Sequence, residues 1–203
     1  EGNYLVMATK KGIIKKTDLM EYSRPRKGGI IGIELRDQDE LINVKLTNGT
    51  KEIIIATKDG RAVRFNEQDV RSVGRGSIGV RGINIRDSEV IGMEVADNKY
   101  LLTVTQNGYG KRSLVEEYRL INRGGSGVTN IKITEKNGKV VGIKVVGDTD
   151  SIMLITKNGV VIRTPVSGIS VIGRNTQGLK IMRLEEGDRL VGVANIIEET
   201  NGD

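Results

Sequence analysis

Four residues after each of four regularly spaced glycines stands a base: Lys16 after Gly12, Arg64 after Gly60, Arg112 after Gly108 and Arg163 after Gly159. Four residues before a second set of glycines stands another, Arg75, Arg123 and Arg174; in the first repeat, where the loop is shorter, Arg24, Arg26 and Lys27 surround that place. Lys15, Arg71, Arg81, Lys111 and Arg119 adjoin these positions and complete the candidate set. Bases in register with a repeat suit phosphate contact, because equivalent positions around an axis form a belt of positive potential that follows a polyanionic backbone. Neighbouring glycines, as in Gly74-Arg75-Gly76 and Arg123-Gly124-Gly125, let a phosphate approach backbone N–H groups.

Other chemistries are poorly served. The 203 residues contain no Cys and no His, which removes disulfides, the usual zinc sites, thiol nucleophiles and any imidazole base. The acids recur in the connection before each unit's last strand (Asp37, Asp39, Glu40; Asp87, Glu89; Glu135; Glu185, Glu186, Asp188) and do not converge as a catalytic pair would. The net charge of +6 therefore understates a local positive field. Aromatics make up only 3%, too few for stacking on unpaired bases, so duplex DNA is the expected partner. Tyr22 and Tyr118, each ten residues after its turn glycine, are expected in the core. No apolar run approaches the roughly 20 residues of a membrane span, and the lack of Cys fits a reducing cytoplasm. The chain opens on Glu1 and not on Met, as expected of a piece of a longer protein.

The elements that must position these bases follow from the repeat. Runs ending in Thr9, Thr57, Thr105 and Thr156 each precede a turn glycine by three residues, and those glycines are separated by 48, 48 and 51 residues. Short Ile-, Val-, Leu- and Thr-rich runs bounded by Lys-Gly, Asp-Gly or Asn-Gly predict a hairpin. A second strand, a long polar loop ending at Gly29, Gly79, Gly127 or Gly178, where the later strands begin as in Val80-Arg81-Gly82-Ile83-Asn84-Ile85, and a closing apolar segment complete each unit of about four strands. The chain is thus expected to be one all-β domain of four repeats, approximately 1–52, 53–99, 100–150 and 151–203, each a four-stranded propeller-like blade. Two basic positions on each of four blades would contact about 8 phosphates, giving a salt slope near −7.

Several stretches closely resemble the C-terminal domain of the bacterial DNA gyrase A subunit. They include Thr105-Gln106-Asn107-Gly108-Tyr109-Gly110-Lys111-Arg112, Val171-Ile172-Gly173-Arg174-Asn175-Thr176-Gln177-Gly178 and Gly79-Val80-Arg81-Gly82-Ile83. The resemblance implies a β-pinwheel, a propeller-like disc whose blades exchange strands and whose basic perimeter wraps a duplex. It also implies that the wrap supports ATP-dependent negative supercoiling by a heterotetramer of the gyrase A and B chains, with ATP, magnesium and the DNA-cleaving chemistry all outside this domain. No cofactor, no metal and no membrane are expected for the domain itself, and its place is the bacterial cytoplasm, at the nucleoid. The family's first-blade box, Gln-Arg-Arg-Gly-Gly-Lys-Gly, does not occur; Ser23-Arg24-Pro25-Arg26-Lys27-Gly28-Gly29 is a loose echo. The family typically closes its disc with six blades, so the chain is expected to start after the first. The equivalent domain of topoisomerase IV and a protein-interaction propeller are the alternatives.

Overall fold

In a computed structural model that describes residues 2–196, every unit begins with a hairpin and closes on its first strand. The first unit contains β1 (Tyr4–Thr9), β2 (Ile13–Asp18) and β3 (Leu41–Thr47). The second contains β4 (Glu52–Thr57), β5 (Arg61–Asn66), β6 (Val80–Arg81) and β7 (Val90–Val95). The third contains β8 (Tyr100–Thr105), β9 (Tyr109–Leu114), β10 (Val128–Thr129) and β11 (Val140–Val146), and the fourth β12 (Ser151–Thr156), β13 (Val161–Pro165), β14 (Leu179–Lys180) and β15 (Leu190–Ile196).

The recurring Thr has a defined duty. At the end of its strand the ladder shifts register, and the hydroxyls of Thr9, Thr57 and Thr156 accept the N–H of the residue four places on, where the next strand opens, at 3.2 Å in each case. The glycine between them takes positive φ, 78° at Gly108 and 86° at Gly159, which a side chain resists.

Blades do not coincide with sequence units. The short strand that ends each long loop crosses to the preceding blade, giving sheet orders β3-β1-β2-β6, β7-β4-β5-β10 and β11-β8-β9-β14. The fold is therefore a propeller-like β-pinwheel with exchanged strands. Among the described residues the fourth blade has three strands, β13-β12-β15, because no later unit there donates a fourth. In the first unit the corresponding segment, Ile30-Ile31, is not a strand.

Apolar cores lie between consecutive blades. Val6 and Ile14 meet Ile53, Phe65 and Met93; Ile54 and Ala62 meet Leu101 and Ile143; Leu102 and Val104 meet Ile152 and Leu190. Burial follows position in the row. Sandwiched between two neighbours, β8 is buried at all six residues, whereas in β12 Ile152 and Leu154 are buried and Met153 between them is exposed. The closing strands pack in order, β3 on β7, β7 on β11 and β11 on β15, with no comparable packing of β15 on β3.

Candidate nucleic-acid interface

The crossing loops create the rim. Closing strands meet at one edge of the sheets, so the opposite edge, where β6, β10 and β14 attach, faces outward. Each loop follows its unit's 3-10 turn along the outer strand of the preceding blade. Val73 N–H donates to Lys16 O (2.9 Å), Ile121 N–H to Arg64 O (3.0 Å) and Ile172 N–H to Arg112 O (3.0 Å). The same geometry is repeated three times, so the basic residues on these loops come to equivalent places.

The candidate bases separate into two groups. The first faces inward and binds carbonyl groups of the next unit. Lys16 Nζ donates to Glu67 O at 2.9 Å and lies over the Tyr4 ring. Arg64 donates to Val115 O and Tyr118 O, both at 3.1 Å, and pairs with Glu52. Arg112 donates to Ile169 O and to Asp148, each at 2.7 Å, and stacks on Tyr100. Glu67 O and Val115 O already accept the N–H groups of Val70 and Tyr118 within their turns, and the cation from the neighbouring blade adds a second bond that ties the turn to that blade. Lys15, fully buried, holds the loops through Gly32 O and Arg75 O; Lys111, also fully buried, holds Gly173 O, Arg174 O and Thr176 Oγ1. Burial lowers the pKa of Lys15 and Lys16, and pulls Lys111 down to about 7, with the Arg174 charge adding to the effect against Glu117.

The second group lies on the rim. Arg24, Arg26, Lys27, Arg71, Arg81 and Arg119 are exposed. Arg75, Arg123 and Arg174 are each anchored by part of the guanidinium: on Ile31 O (2.9 Å), on Asp69 O and Arg81 O (2.9 and 3.0 Å), and on Thr129 O (2.7 Å). Arg163 lies on β13, the outer strand of the blade that lacks a donated neighbour.

Two further cations stand outside the candidate set. Lys180, exposed on β14, stands two residues after Gly178, where Arg81 stands after Gly79. That shared offset was the available signal. Arg61, on β5, donates to Ser126 O and Gly127 O at 2.7 Å and holds the third unit's loop as Lys15 and Lys111 hold theirs. No spacing rule pointed to it, because its counterparts two places further along are lysines.

The acids gather at the hairpin turns. Asp39 accepts the N–H groups of Lys11 and Glu40 at 2.9 Å, Asp188 those of Asn158 and Arg189, and Lys10–Glu40 and Lys58–Glu89 form ion pairs of 3.0 and 2.7 Å. Negative charge is thus held at the turns of the first, second and fourth hairpins, while the loops along the outer edges carry the exposed bases. Tyr118 is fully buried with its hydroxyl on Asn130 Oδ1 at 2.6 Å, and Tyr22 is half-buried on Gly32 O, as core or core-edge residues.

Comparison with known proteins gives this arrangement a family. A family model described as DNA gyrase C-terminal domain, beta-propeller, matches residues 3–48, 51–97, 99–147 and 150–196. The chain belongs to the DNA gyrase C-terminal domain family. It is 48% identical over 200 residues to the DNA gyrase A subunit of Salmonella typhimurium, a match covering 98% of this chain and 23% of that protein. The chain therefore spans about a quarter of the length of such a relative. A solved DNA gyrase A C-terminal domain superposes with TM-score 0.88 at 31% identity, over 97% of this chain and 66% of that one. The C-terminal domain of DNA topoisomerase IV superposes with TM-score 0.91 at 27% identity, over 97% and 62%. The two architectures are equally close, and the sequence identity is higher to gyrase.

Proposed function

We propose that this chain binds duplex DNA along its basic rim and bends or wraps it without reading its sequence. The observation that carries the reading is the set of exposed bases on the loops along the outer edges of successive blades, with Arg75, Arg123 and Arg174 anchored among them on backbone carbonyls. Such loops reach phosphates, and no recognition helix is present among the described residues to enter a major groove. In this reading Lys15, Lys16, Arg64, Lys111 and Arg112 shape the rim, and Arg24, Arg26, Lys27, Arg71, Arg81, Arg119 and Lys180 touch the DNA.

The domain serves, on the same reading, as the non-catalytic DNA-wrapping part of the gyrase A chain, joined in the bacterial cytoplasm to the rest of that chain and to gyrase B. ATP, magnesium and strand cleavage act in those other parts, and the wrap supports negative supercoiling. A gel-shift series with duplexes of increasing length tests it. Affinity should keep rising once the duplex exceeds the footprint of one blade; affinity that levels off at that footprint, or that depends on one base sequence, would refute it.

A further inference from the structure

The outer edges of the first three blades are built alike but are not charged alike. The loop that crosses each edge begins beside Lys16, Arg64 or Arg112, where Ser72, Leu120 and Val171 bridge to the outer strand. It ends near the hairpin turn, where Arg81 pairs with Ile13, Thr129 with Arg61 and Lys180 with Tyr109. Just before the bridge stand Arg71 on blade 1 and Arg119 on blade 2, both exposed, but Ser170 on blade 3. Blade 1 therefore carries an exposed base at both ends of its edge, blade 2 at the loop-start end and blade 3 at the hairpin end. On blade 3 those ends are marked by Arg112 and Tyr109 of β9, about 10 Å apart at about 3.3 Å per residue.

The segment that closes the hairpin end of blade 3 has also changed sign. The bond from Lys10 N–H to Glu40 O (2.8 Å) recurs from Lys58 to Glu89 and from Gln106 to Lys139, both at 2.9 Å. In the first two the side chains form an ion pair; in the third a lysine takes the place of the glutamate and Gln106 that of its partner. Three residues earlier, Lys136 Nζ lies 5.8 Å from the centre of the Tyr109 ring, over which Lys180 Nζ also lies at 4.8 Å. Asn107 fixes both lysines, its amide donating to Glu135 O and Lys136 O at 3.1 and 3.2 Å and its carbonyl accepting from Lys180 Nζ at 3.1 Å. The buried Asn137 amide donates to Lys132 O and Gln177 O, each at 2.9 Å, and so sets the exposed Lys132 beside the end of the crossing loop. Two ammonium groups over one ring repel each other, and an anionic oxygen between them relieves that repulsion. Blade 3 has its donated strand and a packed neighbour on each side, so this patch belongs to a finished blade.

We propose that a duplex bound along the rim shifts toward the hairpin end as it crosses from blade 2 to blade 3, where Lys132, Lys136 and Lys180 around Tyr109 hold its phosphates. The proposal rests on the reading of the rim as a duplex-DNA surface, and adds to it a contact site and a slope. A duplex carries a charge for about every 1.7 Å of its axis, so it follows the run of exposed bases from one blade to the next. From Arg71 and Arg119 that run does not continue at Ser170; it continues at the lysines by the hairpin. The bound duplex is therefore inclined to the row of blades.

Equilibrium binding of one long duplex to the chain, over a series of salt concentrations, tests this. Lys132→Ala with Lys136→Ala should make the slope of log K against log salt shallower by about 2, at roughly 0.9 for each phosphate no longer reached. Both side chains are exposed, so the thermal unfolding midpoint should hold. Ser170→Glu should change affinity little at physiological salt, where the Debye length of about 8 Å is shorter than the distance to the hairpin end. Ser72→Glu, the same change beside Arg71 on blade 1, should weaken binding several-fold. If the double lysine variant kept the parent slope while Arg71→Ala with Arg119→Ala lowered it, the rim would bind DNA along a level path and this proposal alone would fail. Equal losses from Ser170→Glu and Ser72→Glu would overturn it in the same way. A chain that bound no duplex at any salt would bring down the rim reading and this one together.

Discussion

A cation on the outer strand of a blade can be satisfied by solvent and a phosphate, or by the carbonyls that the next unit brings alongside it. Lys16, Arg64 and Arg112 take the second course. Removing Arg112 takes the side-chain donor from Ile169 O and the ion-pair partner from Asp148 in a part-buried place, so Arg112→Met should lower stability by about 1–3 kcal/mol in urea unfolding while changing the salt dependence of DNA binding little. Arg71→Ala with Arg119→Ala should do the opposite. The unfolding midpoint should hold, and the slope of log K against log salt should become shallower by about 2, at roughly 0.9 for each phosphate no longer reached. Lys111 adds a pH signature. Its folded pKa of about 7 lies below the ordinary lysine value of 10.5, so the unfolded chain binds more protons between those values and stability rises with pH across that window. Below pH 7 the cost of charging the buried amine is fully present. In Lys111→Met this pH-dependent increment should vanish, as followed by unfolding free energies measured at about pH 6.5 and about pH 9.5. The spacing of these bases was legible in the sequence, but the direction each faces was not, because direction is set by a loop some 50 residues away in the chain.

At the scale of the element, hairpins, turn glycines and closing strands were legible because each rests on local chemistry: β-branched runs, a Thr hydroxyl, a positive φ. The exchange of strands followed only from the family resemblance. A two-residue strand has no periodicity, and its pairing depends on a partner in the previous unit. Val80, for instance, reads as the start of a later strand, but nothing local to it says that this strand joins the sheet of the preceding unit. The exchange leaves a testable mark on the hairpin glycines. A Cβ on Gly108 would come within 2.3 Å of Met182 O, on the crossing segment, whereas at Gly159, where nothing crosses, a Cβ meets nothing within 4 Å. Both glycines have positive φ, 78° and 86°, so both alanine substitutions incur about 1–2 kcal/mol of backbone strain. Gly108→Ala must also displace the donated strand, and should cost about 1–3 kcal/mol more. Equal losses for the two variants, measured by thermal unfolding, would mean that the fourth strand contributes nothing to blade stability.

For the whole molecule, what matters is whether a row of rim contacts can bend DNA. Duplex DNA has a persistence length of about 150 base pairs, and bending a 20–30 base-pair site by 40–90° costs about 1–6 kcal/mol. A single blade offers too few bases to offset that. The loops of units 1, 2, 3 and 4 place Arg24, Arg71, Arg119 and Arg174 in succession, so each further blade reached by the duplex adds contacts at the additional expense of bending. Phosphate contacts can drive such bending without base recognition, as in the nucleosome. A duplex of about 40 base pairs carrying a fluorophore at each end should therefore show rising energy transfer as this chain binds, and a duplex of about 12 base pairs should bind more weakly. Raising the salt should release the DNA and the bend together, because the same contacts hold both. If the long duplex bound tightly with no change in end-to-end distance, the exposed bases would be acting as a straight electrostatic patch, and wrapping by these four blades would be ruled out.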